Sequence, residues 1–237
     1  MRSLLEIIAL GPGDAIGATE GGADRLEVVA DMDADGLTPD VDAVRDIKHE
    51  TDIPLRIMLR ANDGFATSGS ELTKLKGAAY EFATLGVDGF VLGFLGPTVA
   101  IDVDAAMDLV DEFAPLPWTF HRAVDHALDH DAAWSALLDM HGLDTVLTAG
   151  SPRGVSHGLD EVCRRAADSP EAARLIMAGG GLAADHVPWL ARAGVSKFHV
   201  GGKVRPGGSW KAYVDAALVR SWRTLVEDAV AAARPPS

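Results

Sequence analysis

An α/β fold of the TIM type, a closed parallel (β/α)8 barrel followed by a C-terminal helix, is what this sequence predicts, on three observations. Eight short apolar runs recur, beginning near Leu4, Arg25, Leu55, Gly89, Trp118, Thr145, Arg174 and Lys197. About 20 to 35 residues separate them, the room that a strand, a helix and two tight loops require. The 237 residues suit one barrel of ordinary size, so the chain reads as a single domain over 1–237 with the barrel in about 3–202.

The elements follow in order. LLEIIAL is the first strand; Asp14 then reads as an N-cap, and Gly21 and Gly22 end the first helix. RLEVVA is the second strand, followed by a loop through Pro39. Val41, Val44 and Ile47 come next, at helical spacing. PLRIMLR is the third strand, and Ser70 with Thr73 opens a helix that runs through Leu85. GFVLGFL, WTFHR, TVLTAG, RLIMAGGG and KFHVGG supply the other five, with amphipathic stretches near 102–113, 131–140, 158–167 and 184–193 between them. Residues 210–233 read as the terminal helix and Arg234-Pro235-Pro236-Ser237 as a frayed tail.

Composition narrows the partners. At 48% hydrophobic and 24% charged residues the chain has a globular balance without disordered bias. A formal charge of -14 repels phosphate backbones and anionic membranes, which excludes nucleic acid and membrane as partners. Cys163 is the one cysteine, so no intramolecular disulfide forms; with no signal-like start and no spanning run, a cytoplasmic setting is expected.

Charge inside the strands is the functional signal. Strands of such a barrel are apolar on both faces, yet Glu6, Glu27, Arg56, Arg60, His121 and His199 lie in these runs. A lone buried charge costs several kcal/mol, so each must pair, neutralise or reach the open top of the barrel. One reading is a structural network in which Arg56 or Arg60 satisfies Glu6 and Glu27. The other is a catalytic set at the strand ends: His121 as proton shuttle, Glu6 or Glu27 orienting it, Arg60 and Arg122 clamping an anion. A histidine at its ordinary value near 6.5 suits that work at neutral pH. Gly179-Gly180-Gly181 after the seventh strand and Gly201-Gly202-Lys203 after the eighth are where this fold cradles phosphate, with Lys203 and Arg205 adding positive charge. The expected ligand is therefore a small anionic or phosphorylated metabolite.

Missing motifs remove other chemistries. No His-x-His pair ends the first strand, no lysine lies in the sixth, and no Gly-x-Ser-x-Gly elbow or Walker loop is present.

The string Thr119-Phe120-His121-Arg122-Ala123-Val124-Asp125 resembles the Thr-Phe-His-Arg-Ala-Phe-Asp signature of the CutC family, the copper homeostasis proteins. Leu4-Leu5-Glu6, Gly22-Ala23-Asp24-Arg25-Leu26-Glu27, Gly36-Leu37-Thr38-Pro39, Met58-Leu59-Arg60, Gly86-Val87-Asp88-Gly89, Val146-Leu147-Thr148 and Gly179-Gly180-Gly181 fit the same family in order, as does His199. The resemblance covers about residues 3–202. It implies a cytoplasmic TIM barrel, a homo-oligomer (dimer or tetramer), whose polar site is lined by Glu6, Glu27, Arg60, His121, Arg122 and Thr148, with Asp125 completing the signature. The family name implies copper as a ligand, and copper enters on that ground alone. This chain departs from the family in reading Glu27-Val28-Val29 where a cysteine often follows the glutamate. It also carries Arg60-Ala61-Asn62-Asp63-Gly64-Phe65 in place of an Arg-Pro-Arg-Gly-Gly-Asp-Phe loop, Ala149 after Thr148, and Lys197 before the last strand's histidine. Copper(I) favours thiolate and thioether ligands. Cys163 falls in a helix, and Met58 and Met177 read as core. No residue is assigned to a metal; a hard or borderline ion held by Glu27, His121 and His199 stays open, although these residues have no diagnostic local spacing. Three functions stay open: an acid–base enzyme of lyase or isomerase type needing no metal, a copper-binding or buffering protein, and a non-catalytic metabolite sensor.

Overall fold

The computed structural model describes residues 2–233, and its eight strands close into a barrel in sequence order. They are β1 (Leu4–Ala9), β2 (Arg25–Val28), β3 (Leu55–Met58), β4 (Gly89–Leu92), β5 (Trp118–Phe120), β6 (Leu143–Thr148), β7 (Ile176–Ala178) and β8 (Lys197–Val200). Every neighbouring pair is parallel, and β8 returns to β1 through Leu4 opposite Lys197 and Glu6 opposite His199.

The surrounding helices are α1 (Pro12–Gly21), α2 (Val41–Glu50), α3 (Gly69–Thr84), α4 (Val103–Val110), α5 (His130–Leu138), α6 (Val155–Asp168), α7 (Pro170–Leu175), α8 (Val187–Arg192) and α9 (Ala216–Ala232). Among the described residues no helix is long and apolar enough to cross a membrane. The tail expected to fray, Arg234–Ser237, lies outside the described residues.

Successive strand residues face opposite sides. Leu5 and Ile7, Leu26 and Val28, Phe90 and Leu92, Trp118 and Phe120 join the apolar layer between barrel and helices. The alternate positions face inward. Near the top these are Ile8, Val29, Met58 and Val91, which form a small apolar cluster of their own. Below and beside that cluster the same alternation sends Glu6, Arg25, Glu27, Arg56, Lys197 and His199 into the barrel, which is consequently charged where an ordinary barrel is filled by branched apolar side chains. Gly89 accommodates this filling: a Cβ there would lie 3.0 Å from Arg56 Cδ and 2.2 Å from the Pro117 carbonyl oxygen.

Several boundaries differ from the sequence expectation. Gly11 and Pro12 start α1, and Asp14 lies buried inside its first turn. The Asp14 carboxylate accepts from Leu10 N at 2.8 Å and Val214 N at 3.0 Å and pairs with Arg205 at 2.7 and 2.9 Å. Helix α3 is capped by Ser68, two residues before the expected Ser70, in a reciprocal box with Glu71. Ser68→Ala should therefore cost about 1 kcal/mol in urea denaturation, with Ser70→Ala nearly neutral. β7 is only three residues, because Ser169 caps a short helix beginning at Pro170 that takes in Arg174. The terminal helix begins at Ala216, where the Asp215 side chain accepts from Ala217 N and Leu218 N.

Candidate functional site

The floor of the barrel mouth is built by β1, β2 and β8. Glu6 is fully buried between two donors, Arg25 Nε at 2.5 Å and His199 Nδ1 at 2.8 Å. Burial pushes the Glu6 carboxyl up, but Arg25 and His199 outweigh it and hold it at about 2. Glu27 stands on the other side of the same imidazole, its Oε2 3.6 Å from His199 Nε2. Its Oε1 is buried with no hydrogen-bond partner among the described residues. Burial lifts Glu27 to about 7, with His199 pulling it down and the Glu6 charge pushing it up. Burial opposes charge on His199 as well, but Glu27 and Glu6 together raise it above its ordinary value. Two glutamates one strand apart thus behave oppositely: one is a permanent counter-ion, the other titrates near neutrality.

Deeper in the interior Arg56 pairs with Asp144 at 2.6 Å, and Lys197 donates to the Asp144 carbonyl at 2.5 Å. Burial brings Lys197 down to about 8 against the pull of Asp144. The structural network considered from sequence is therefore differently wired. Arg25 satisfies Glu6, Arg56 turns to Asp144, and Arg60 joins neither.

His121 directly follows β5 and lines the cup. Its Nδ1 accepts from Ala123 N at 3.2 Å, so the ring proton of the neutral form sits on Nε2. That Nε2 is buried and has no partner among the described residues. Burial drives the ring down to about 3, and Arg60 and Arg122 add to the shift. His121 is neutral at physiological pH, in contrast to the shuttle expected from an unperturbed histidine. Gly93 makes the position available, since a Cβ there would lie 2.7 Å from Nδ1. Phe65 packs against the ring at 5.6 Å.

Arg60 lines the cup, but its guanidinium is engaged by loop carbonyls. It donates to Ala34 O at 2.7 Å, Gly36 O at 3.3 Å, Asp63 O at 2.6 Å and Gly64 O at 3.3 Å, and lies over Phe65 at 5.1 Å. It ties the loops after β2 and β3 together. Asp125 is likewise internal. It receives Thr148 Oγ1 at 2.5 Å, Ala149 N at 3.0 Å, Gly150 N at 3.1 Å and Arg122 Nε at 3.0 Å. Thr148 shares the outward parity of Val146, so both Thr148 and Asp125 sit behind the cup wall, not on it.

Arg122 reaches the mouth, held by Asp125 and by the Ser151 and Pro152 carbonyls at 3.3 and 3.1 Å. Its Nη1 takes no partner among the described residues. The glycine loops line the mouth for partly steric reasons. A Cβ at Gly180, whose φ is +86°, would lie 2.6 Å from Arg122 Nε, and one at Gly201 would lie 2.6 Å from Trp210. Gly179 is needed by the walls: a Cβ there would meet Leu147 at 2.6 Å and His199 at 2.9 Å. Gly181, with φ +76°, has nothing within 4 Å of a Cβ and leaves its backbone open, and Gly202 lies beside Lys203 on the opposite rim. Arg205 is not on the rim; it is buried against Asp14, under Trp210 at 4.9 Å, and fixes the segment that covers one side of the cup.

The result is a cavity of about 460 Å³ that brings together Glu27, Arg60, His121, Arg122 and His199 with Gly180, Gly181, Gly201 and Gly202. Glu6 stands one residue behind it. The sequence reading missed Arg25, the partner that fixes Glu6, and the apolar walls Met32, Phe65, Leu182 and Trp210. Arg25 shares the inward parity of Glu27, which was the available signal.

Glu6, Glu27 and His199 also bring donor atoms within 4.8 Å of one another. Glu6 and the His199 Nδ1 are already committed, and Arg25, Arg56 and Lys197 fill the same interior with positive charge. Sulfur is absent from the set: Cys163 lies on α6 outside the barrel, its thiol pushed up by burial, Met177 Sδ faces the Arg25 guanidinium at 3.6 Å, and Met32 and Met58 line the cup with its apolar cluster and lie outside the three-residue set. These residues do not fit copper(I), which favours soft sulfur ligands.

A family model described as the CutC family matches residues 4–204. The human copper homeostasis protein cutC homolog is 31% identical over 198 residues, covering 83% of this chain and 72% of its own. A family protein CutC of Xanthomonas campestris pv. campestris is 31% identical over 197 residues, covering 82% of this chain and 81% of its own. Among solved structures, the putative copper homeostasis protein CutC from Streptococcus agalactiae superposes with a TM-score of 0.75 at 24% identity, covering 84% of this chain and 98% of that one. Phosphoribosyl anthranilate isomerase from Thermococcus kodakaraensis superposes at 0.64 and 18% identity over 95% of this chain and 99% of that one, a likeness of fold.

Proposed function

The chain therefore belongs to the CutC family, and we propose that its barrel cup is an enzyme site that binds a small anionic metabolite and moves a proton on it with Glu27. One observation carries the reading: a buried carboxyl that titrates near neutrality, with one oxygen unpartnered among the described residues, lines a cavity of small-molecule size. Glu6, by contrast, has both oxygens satisfied by Arg25 and His199. In this reading the proton-transfer role suggested for His121 passes to Glu27, and Glu6 positions His199 beside it. Arg122 and Lys203 hold the anion between the Gly180-Gly181 and Gly201-Gly202 loops, while Arg60 shapes the wall. Asp125 and Thr148 act through Arg122, which they hold in place. A cytoplasmic setting and an assembly of copies belong to the same reading, the latter supported by exposed apolar side chains such as Leu128 at 83% and Tyr213 at 74%.

Thermal denaturation at pH 7 in phosphate-free buffer, against small phosphorylated and carboxylated metabolites, tests this. A ligand present at a hundred times its Kd should add about 2.7 kcal/mol, a rise of roughly 5 to 10 °C for a chain of this size. Lys203→Met with Arg122→Lys should remove the rise. If inorganic phosphate and every metabolite leave Tm unmoved, or the double variant responds as the parent does, the reading is wrong. Copper homeostasis is the name the relatives carry. Uptake of one copper(I) against a competing chelator, abolished by His199→Ala, would favour metal binding in the cup instead.

A further inference from the structure

The enzyme reading leaves the reaction open, and His121 narrows it. We infer, resting on that reading, that the substrate is a small anionic carbonyl compound whose carbonyl oxygen accepts a hydrogen bond from His121 Nε2 while Glu27 removes a proton from the adjacent carbon. Three features of the site support this. The Ala123 N–H occupies Nδ1, so the proton is fixed on Nε2, a buried and unpartnered atom of a ring that lines the cavity. Gly93, Phe65 and Phe120 hold the ring plane, and Nε2 has no hydrogen-bond partner among the described residues. The ring is flanked by burial and by the Arg60 and Arg122 charges, which keep a second proton off it.

A neutral imidazole N–H donates well to an oxygen that is gaining charge. It is a poor general acid for a departing alcohol or amine, which needs a full proton. Hydrolysis or elimination would leave that leaving group unserved. Enolisation needs only a base and an oxyanion donor, and among the described residues the cup offers an unpartnered Glu27 Oε1 and an unpartnered His121 Nε2.

The step balances without a further reactant. The Glu27 carboxylate takes the proton as the C–H bond breaks, and that electron pair becomes the C=C bond. The carbonyl π pair moves onto oxygen, where the His121 Nε2–H hydrogen bond strengthens. Return of the proton from Glu27 to that carbon restores the carboxylate and completes an exchange; its delivery instead to the far carbon of a conjugated double bond re-forms the carbonyl and completes an isomerisation. Glu6, holding His199 at its Nδ1, fixes the charge next to Glu27 throughout.

Two measurements on the full chain decide it. Nitrogen-15 NMR of the histidines at pH 7 should show His121 neutral with its proton on Nε2; a protonated ring or an Nδ1–H tautomer overturns the inference. Calorimetry should then compare phosphoglycolohydroxamate, a planar enediolate mimic with no added charge at pH 7, with glycerol 3-phosphate. The planar probe should bind at least roughly tenfold tighter to the wild type. His121→Asn, whose side-chain oxygen can still cap the Ala123 N–H, should bring the two within about threefold of each other while leaving glycerol 3-phosphate unchanged. Equal binding of both probes to the wild type overturns the carbonyl inference and leaves anion binding standing. Failure of both probes to bind overturns the anion reading itself.

Discussion

Glu27→Gln should stabilise the fold at pH 8, by about 3 kcal/mol, while abolishing proton transfer. The sign follows from the direction of the shift. The folded carboxyl sits at about 7 and the unfolded one near 4.5, so the native state holds the proton more tightly. The stability this contributes is complete below 4.5 and is lost as pH rises through 7. Wild-type protein at pH 8 therefore carries a buried charge that it ionises at a cost, and glutamine removes that cost. Near pH 5 the difference between the two should shrink below about 1 kcal/mol, because much of the wild-type contribution is then still present. Urea denaturation at the two pH values reads this directly. A variant that is less stable than wild type at both would show that the Glu27 charge is a structural partner of His199, and the functional assignment would go with it. Stabilisation on removing a residue is the usual mark of a group kept for activity at the expense of the fold.

Glu6→Gln should have the opposite effect, costing about 3 to 5 kcal/mol at pH 7. The carboxylate pairs directly with Arg25 at 2.5 Å and with His199 at 2.8 Å, all three buried. Its neutral replacement leaves a guanidinium and an imidazole inside the barrel without it. The folded carboxyl is held at about 2, so its contribution is present above 4.5 and lost as pH falls toward 2. A melting temperature lower by roughly 10 °C is the expected result for a chain of this size. A loss under about 1 kcal/mol would mean that the pair is replaceable and that Glu6 is retained for chemistry. The two neighbouring glutamates thus provide an internal contrast: similar burial, adjacent strands, and mutational effects of opposite sign.

Much of this arrangement was legible in the sequence. Eight apolar runs at barrel spacing fixed the fold class, and charges within those runs marked the interior. Period-two alternation carries more than was taken from it. Glu6, Arg25, Glu27, Arg56, His121 and His199 all fall on the inward parity, whereas Thr148 falls on the outward one and is found behind the wall. What could not be read was pairing. Arg25, Arg56 and Arg60 are equivalent as residue types, and only register and loop closure send the first to Glu6, the second to Asp144 and the third to four carbonyls. The His121 tautomer was similarly hidden, because it depends on a backbone N–H two residues on that turns back at the strand end. Arg205 read as part of the anion corner because it follows the Gly201-Gly202-Lys203 loop. Its burial against Asp14 is a contact across 191 positions that no local pattern announces.

The carbon-13 chemical shift of the Glu27 side-chain carboxyl, followed from pH 4 to pH 9 in the intact protein, decides whether the cup holds a base. A base there gives a midpoint near 7, well above that of an ordinary carboxyl. A midpoint at or below 4.5 would show a carboxylate permanently paired in the floor of the barrel, and the cup would have no base.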